Sequence, residues 1–434
     1  MDDRSAPLRI CLVNAYFPPY VPGGAEISIE LTARLLAARG HDVSVVVPGP
    51  GGRSGKESRD GFVVHWVPSS SRHEPGHRLD LSNYAGSPDF VQELTDGIVS
   101  VGREESVQIL HGQNAVSWEP TVRGARALGV PSVVTVRDAS VLCPTGICMM
   151  DDPAPFPRPC GGPLSMLRCS HAYLVRSGGS MSWPHQLVHA QRLWSARGRQ
   201  RRWLSRADAA VAISDALGTQ VRRHVLRKEG RLHRIYNPVE VPSDETNDSS
   251  VLRRHGLEPR GYFLVSGKKS LGKGTFVAAA AAGRWLCAAA RRPPLAFFGP
   301  GARVPAVEGV LDFPPVSQKD LQSLVRHAIA VVVPSLVFEG LHRGMLDALG
   351  AGVPLVVTDS GGQREGVIDG ENGFVVPKGN IESLATALER VAAWDDAQRT
   401  RAADASKELI RNRFNTQVET TRLESIYRDL LNIV

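Results

Sequence analysis

Short apolar runs separated by amphipathic stretches recur down this 434-residue chain, and no other feature limits its fold as much. Ile10–Val13 reads as a buried strand. Ile27–Ala38 carries apolar residues at helical spacing (Ile27, Leu31, Leu35, Ala38), and Val43–Val47 is a second apolar run closed by Pro-Gly punctuation at 48–52. Val63–Val67, Gln108–His111, Ser132–Val136 and Ala209–Ser214 read as further strands. After a polar stretch the pattern repeats at Tyr262–Ser266, Leu295–Phe298, Ala330–Val333, Leu355–Thr358 and Gly373–Val376, with helices between. Strands spaced by helices build parallel sheets covered on both faces, because each crossover needs room for a helix. The expected class is α/β, with two doubly wound, Rossmann-like domains.

The polar stretch Pro242–Ser250 reads as the linker, dividing residues 1–238 from 239–414, with a terminal helix over 415–434. Domains of ~100–200 residues fit this length, and each can bury its own core. No apolar run reaches the ~18 residues of a membrane span; the best stretch, Phe276–Ala290, is broken by Arg284. Met1-Asp2-Asp3-Arg4 is too acidic and polar to open a signal peptide, so the default expectation is cytoplasmic. The net charge of +7 favours anionic partners such as phosphates and acidic lipids. With no zinc-finger spacing and no RNA-binding signature, nucleic acid is not an expected partner.

The richest segment is Pro334-Ser335, Phe338-Glu339-Gly340-Leu341-His342, Asp347, and Gly361-Gly362-Gln363-Arg364-Glu365. Glu339 and Asp347 stand eight residues apart, which on a helix puts both carboxylates on one side. Glycines around them let backbone approach a ligand, and carboxylates accept hydrogen bonds from neighbouring hydroxyls. The segment resembles the nucleotide-sugar signature of the family 4 retaining glycosyltransferases (group 1, GT-B fold), with Asp347 where that signature has a second Glu. The resemblance implies two doubly wound domains facing a central cleft. The first would take the acceptor, with helix 415–434 returning to it, and the second would take the donor. It implies transfer of a sugar from a nucleoside-diphosphate sugar, with retention, to a small-molecule, glycan or lipid-linked acceptor. The donor is a co-substrate, and no cofactor is expected. Glu339 would hold sugar hydroxyls and Asp347 the ribose; Gly340, Leu341, His342, Gly361, Gly362 and Glu365 would line the nucleotide side. His342 replaces a usual Gly and either contacts sugar or phosphate or fills space.

A departing diphosphate needs positive charge beside it. Ser266–Gly274 resembles the family's basic loop, with Lys268 in place of Arg and Lys273-Gly274 kept. Lys lacks the bidentate fork of Arg, so this clamp is looser. A solvated basic turn is the plain alternative, and the spacing excludes a Walker loop. No Asp-x-Asp site stands in a suitable loop, so a metal-independent enzyme is expected. Pro18-Pro19-Tyr20 and Gly23-Gly24-Ala25-Glu26 are similar to the family's first strand-to-helix loop, where free N–H groups suit anions. Val133–Asp138 matches a stretch whose usual His is Arg137 here; Arg137 can hold a phosphate or an acceptor carboxylate. Arg137 joins Lys268, Lys273 and Glu339 as the catalytic set. His111 is either near the ligand or structural.

Cys143, Cys148, Cys160 and Cys169, with His171 behind, do not have the close pairs of a zinc ribbon; packed thiols are expected, with structural zinc as the alternative. The Pro-rich stretch 153–163 is a candidate acceptor loop. Arg192–Arg206 has six arginines and no acid, so it reads either as a solvated helix or as a peripheral contact with an anionic membrane. The substitutions Arg137, Lys268 and Asp347 keep two rivals open: a sugar-nucleotide-binding protein with little activity, and a GT-B-fold epimerase or phosphorylase.

Overall fold

The computed structural model describes residues 6–19, 23–49, 52–69, 87–143, 162–176, 179–226, 231–242, 248–286 and 292–432. They form two compact units, divided between Pro238 and Val239 and again between Asn415 and Thr416. Tyr20, Cys148, Cys160, the 153–161 part of the Pro-rich stretch and linker residues 243–247 lie outside the described residues.

The first unit holds strands β1 (Arg9–Val13), β2 (Asp42–Gly49), β3 (Gly55–Arg59), β4 (Phe62–Pro68), β5 (Ile109–Gly112), β6 (Ser132–Val136), β7 (Ala209–Ala212) and β8 (Leu232–Arg234). They form one sheet in the order β3-β4-β2-β1-β5-β6-β7-β8. Its pairs are parallel except β3–β4, an edge hairpin. That hairpin turns at Asp60-Gly61, both with positive φ (40° and 85°), the Asp-Gly chemistry of a tight two-residue turn. From β1 the chain runs outward through β2 and β4, then returns to the other side of β1 for β5 to β8. The topological switch point therefore lies between β1 and β5.

One core of this unit joins Ile10, Leu12, Ile29, Val45, Phe62 and Ile109 to Leu423, Ile426 and Tyr427 of the helix Thr416–Leu430. Tyr427 Oη meets His111 Nδ1 at 2.6 Å, and Thr135 Oγ1 meets His111 Nε2 at 2.7 Å. Burial, aided by Arg137, pushes His111 down to about 3, so the ring is neutral. Both ring nitrogens are occupied within the core, which is the arrangement of a structural strut.

The second unit is an all-parallel sheet of β9 (Phe263–Ser266), β10 (Leu295–Phe298), β11 (Val310–Phe313), β12 (Val331–Val333), β13 (Leu355–Thr358) and β14 (Gly373–Val376). The order is β11-β10-β9-β12-β13-β14, so its switch point lies between β9 and β12. Ala278, Ala279, Ala281 and Ala282 of the helix Thr275–Leu286 pack with Leu384, Leu388 and Val391 of the helix Ile381–Ala392 in its core.

The basic stretch 192–206 ends the helix Trp183–Leu204. Arg197 and Trp203 are buried, Arg201 Nε donates to the Val141 carbonyl at 2.7 Å, and Arg206 lies over the Trp203 ring at 5.0 Å. Arg192, Arg202 and Arg206 of the same stretch are exposed. The exposed large apolar side chains lie earlier: Leu164 (76 %) and Val175 on the helix Pro163–Arg176, and Trp183 (60 %), Leu187 and Val188. The exposed apolar surface of this region thus lies on these two helices before residue 192. Among the described residues no helix is long and apolar enough to cross a membrane. Cys11, Cys143 and Cys169 are buried and form no disulfide.

Candidate active site

In open parallel sheets ligands sit beyond the carboxyl ends of the strands, at the switch point. In the second unit β9 and β12 end there, and two loops follow them. Leu336 and Val337 donate backbone N–H bonds to the Gly272 carbonyl at 2.8 and 3.0 Å, which ties the two loops together. Gly274 has φ +71°, and a Cβ there would stand 1.8 Å from the Pro334 carbonyl oxygen, so only glycine allows this approach. A third loop, after β13, pairs with the second: Glu339 N–H donates to Ser360 O at 3.3 Å, and Gly362 N–H to Glu339 O at 2.9 Å. A Cβ on Gly361 would lie 2.2 Å from Glu339 O.

These ties bring together residues far apart in sequence. Lys273 Nζ donates to Glu339 Oε1 at 2.6 Å, and Ser335 Oγ donates to the same oxygen at 2.7 Å. Glu339 is buried. Burial alone would raise its pKa, but Lys273, His342 and the Ser335 hydroxyl outweigh it and hold the carboxyl below its ordinary range. Glu339 is therefore an ionised acceptor.

The helical reading of the two carboxylates does not hold. The helix spans Arg343–Ala351, and Glu339 lies before it on a loop paired to Ser360 and Gly362. His342 caps the helix: its Nδ1 accepts from Gly344 N–H at 3.2 Å. Burial and the Lys273 charge push His342 down to about 4, against the pull of Glu339. With Nδ1 accepting, the proton of the neutral ring is on Nε2. Asp347 lies within the helix, buried; its Oδ1 accepts from Arg343 Nε at 2.7 Å, and Arg343 Nη2 stands 2.7 Å away in the ion pair. Burial raises the Asp347 pKa against that ion pair, with Glu240 adding to the rise. The second carboxylate is thus engaged by the side chain one turn before it.

Lys268 is exposed on the first loop. The neighbouring Lys269, which sequence reasoning passed over, is buried and donates to Asp312 Oδ1 at 2.5 Å and Phe313 O at 2.9 Å, fixing the loop to the end of β11. Gly340 and Leu341 are buried in the second loop; Gly362 and Glu365 are buried in the 3-10 turn Gly362–Gly366. Arg413 Nη1 donates to the Glu365 carbonyl at 3.0 Å.

In the first unit Gly23 is the N-cap of the helix Gly24–Ala38 and supplies no side-chain cap. Arg137 follows β6. Its Nε donates to Gln113 O at 2.7 Å, its Nη2 to Gln113 Oε1 at 2.6 Å and its Nη1 to Asn237 Oδ1 at 2.8 Å. Burial lowers its pKa to about 10, against the pull of Glu26. Arg137 is not near Lys273 or Glu339 in sequence, and it belongs to the other unit. Elsewhere, His65, Glu104 and Glu105 stand close enough to share an ion, but Lys56 Nζ already bridges the two glutamates at 2.7 and 2.9 Å.

Two doubly wound units of this kind are those of the GT-B glycosyltransferases. Sucrose-phosphate synthase from Thermosynechococcus elongatus aligns at a TM-score of 0.72, covering 98% of this chain and 100% of that one at 16% identity. Anabaena HepE in complex with UDP-glucose aligns at 0.66, covering 98% and 100% at 14% identity. Residues 23–238 match the glycosyl transferase 4-like domain, and residues 295–393 match the glycosyl transferases group 1 domain. The chain belongs to the group 1 glycosyltransferases, a class that uses nucleotide sugars. Glycogen synthase of Mycobacterium tuberculosis is 24% identical over 97% of this chain and 94% of its own length. The capsular polysaccharide biosynthesis glycosyltransferase CapM of Staphylococcus aureus is 29% identical over 93 residues, 21% of this chain and 24% of that protein.

Proposed function

We propose that the chain transfers a sugar from a nucleoside-diphosphate sugar to an acceptor with retention of anomeric configuration, without a metal ion or a further cofactor. The observation that carries this reading is the Lys273–Glu339–Ser335 cluster at the switch point of the second unit. Lys273 supplies positive charge where a diphosphate would leave, and Lys268 on the same loop adds a second charge. Glu339, ionised and able only to accept, suits the hydroxyls of the sugar. The Nε2–H of His342 adds a neutral donor beside them. In the reaction the bond from the anomeric carbon to the donor phosphate oxygen breaks. The bond to the acceptor oxygen forms on the same face, and the acceptor proton passes to the leaving phosphate oxygen. Asp347 would reach the ribose only beside its Arg343 ion pair, with Gly362 and Glu365 along the nucleotide. Gly23, Gly24 and Arg137 of the first unit would serve anionic groups of the substrates. A lipid-linked acceptor would bring the protein to a membrane surface, where Leu164, Trp183 and Leu187 make the contact.

The test is nucleoside diphosphate release across a panel of donors and acceptors, with and without chelator. The expected result is acceptor-dependent release that survives chelation, with the anomeric configuration of the product, read by NMR, matching the donor. Binding of donors with no turnover on any acceptor would support a sugar-nucleotide-binding protein instead. Conversion of the donor without acceptor would support an epimerase. Loss of activity in chelator would remove the metal-free part.

A further inference from the structure

Beside Arg137, the switch point of the first unit carries polar groups to which the transfer step gives no role. Asn14 follows β1, Gln113 follows β5 and Arg137 follows β6, on strands that are neighbours in the sheet. Glu26 enters from the first turn of the helix Gly24–Ala38. Asn14, Gln113 and Glu26 are only 0, 1 and 4 % exposed, yet among the described residues Asn14 Oδ1, Gln113 Nε2 and Glu26 Oε2 find no hydrogen-bond partner. Each buried polar group left without a partner costs roughly 1–3 kcal/mol. Three such groups at one switch point mark a place where a ligand supplies the partners.

Arg137 supplies the sign of that ligand. Among the described residues its three hydrogen bonds all go to neutral acceptors: the Gln113 carbonyl and amide oxygen and the Asn237 amide oxygen. A guanidinium has five N–H donors, so two remain for a ligand, in a fork already fixed by the amides. The acid that acts on it is Glu26, whose pKa burial lifts to about 7, so near neutrality its carboxyl is often uncharged and leaves the guanidinium unbalanced.

We propose that Arg137, Gln113, Asn14 and Glu26 form an oxyanion site for a carboxylate or phosphate group carried by the acceptor. Arg137 and Gln113 Nε2 donate to the anion, and Asn14 Oδ1 and Glu26 Oε2 accept from hydroxyls next to it. The assignment to the acceptor rests on the transferase reading above; the site itself can be measured without turnover, so either can fail alone.

The experiment titrates inorganic phosphate and, separately, acetate into the full chain at constant ionic strength, by calorimetry, with and without saturating UDP, GDP or ADP. The expected result is saturable binding of one oxyanion per chain, weakened at least tenfold in Arg137→Gln and only partly in Arg137→Lys. The tighter of the two anions tells which group the acceptor carries. Displacement by the nucleotide would give the site to the donor and overturn the acceptor assignment. No saturable binding, or binding unchanged in Arg137→Gln, would overturn the site. Should Arg137→Gln not fold, Glu26→Gln reads the same pocket: it removes the competing negative charge and should tighten acetate binding at pH 8 several-fold, and no change there overturns the site.

Discussion

Glu339 keeps its charge although buried because Lys273 and Ser335 both donate to its Oε1. Asp347, in the same segment, has its charge balanced by Arg343 in the preceding turn. The two acids should therefore respond in opposite ways to loss of charge. Glu339→Gln is expected to cut turnover roughly 100-fold, the scale of losing a group that orients the reacting sugar, with little change in melting temperature. Asp347→Asn takes the balancing carboxylate from a buried guanidinium and is expected to cost about 3 kcal/mol of stability. Turnover and thermal unfolding of the two variants check this; the same signature in both would show that the acids share one role. Glu26 adds a pH dependence. Its folded pKa of about 7 lies above the ordinary 4.5, so the folded chain binds more protons across that window. Its contribution to stability is present below about pH 4.5 and is lost as pH rises through about 7. The charged and titratable groups acting around it do not titrate near pH 7: Arg137 stays charged, His111 is neutral above about 3, and Tyr16 is pushed up by burial and by Glu26. Acetate, itself fully charged there, should bind progressively tighter as pH falls from about 8.5 to about 6, and Glu26→Gln should flatten that profile.

At the scale of elements, the central strands were legible because strands buried on both faces read as near-continuous apolar runs, as in Val43–Val47 and Leu355–Thr358. The edge strands of the first sheet were not: Gly55–Arg59 has no apolar residue, and Leu232–Arg234 has one. Lys273 and Glu339 could be named from sequence but not joined, since their meeting depends on backbone bonds from Gly272 and Ser360. The eight-residue spacing suggested one helix face because periodicity carries no information about His342 capping the helix three residues after Glu339. Lys269 was hidden because a buried lysine looks like an exposed one until its partner, Asp312 on an unpredicted strand, is in place. The helices Pro163–Arg176 and Trp183–Leu204 expose apolar side chains, and Arg168, one turn after Leu164, is also exposed. Trp and Leu beside arginine suit the boundary of an anionic bilayer. The chain should co-sediment with phosphatidylglycerol vesicles and much less with phosphatidylcholine ones. Trp183→Ser with Leu187→Ser should abolish the difference, and a wild-type chain that stays in the supernatant with both would remove the contact.

For the molecule as a whole, the first unit is closed by the end of the chain. Leu423, Ile426 and Tyr427 lie in the same core as β1, β2 and β5, and Tyr427 Oη holds the His111 ring. Glu419 accepts from Arg234 Nη1 at 2.8 Å and from the Tyr236 backbone at 2.9 Å, and Glu424 accepts from Arg39 and meets His41. Burying three large side chains contributes about 1.5–3 kcal/mol each, which together approaches the ~5–15 kcal/mol that a domain's folding leaves in hand. Among the described residues, the core cluster of the second unit includes no side chain of this helix. A chain ending at Asn415 should therefore lose the first unit and keep the second. Hydrogen exchange would show β9, β12 and β13 still protected and β1, β5 and β6 exchanging freely, and calorimetry would show one of the two transitions missing. Protection of both sheets in the shortened chain would mean that the helix rests on a core already complete without it.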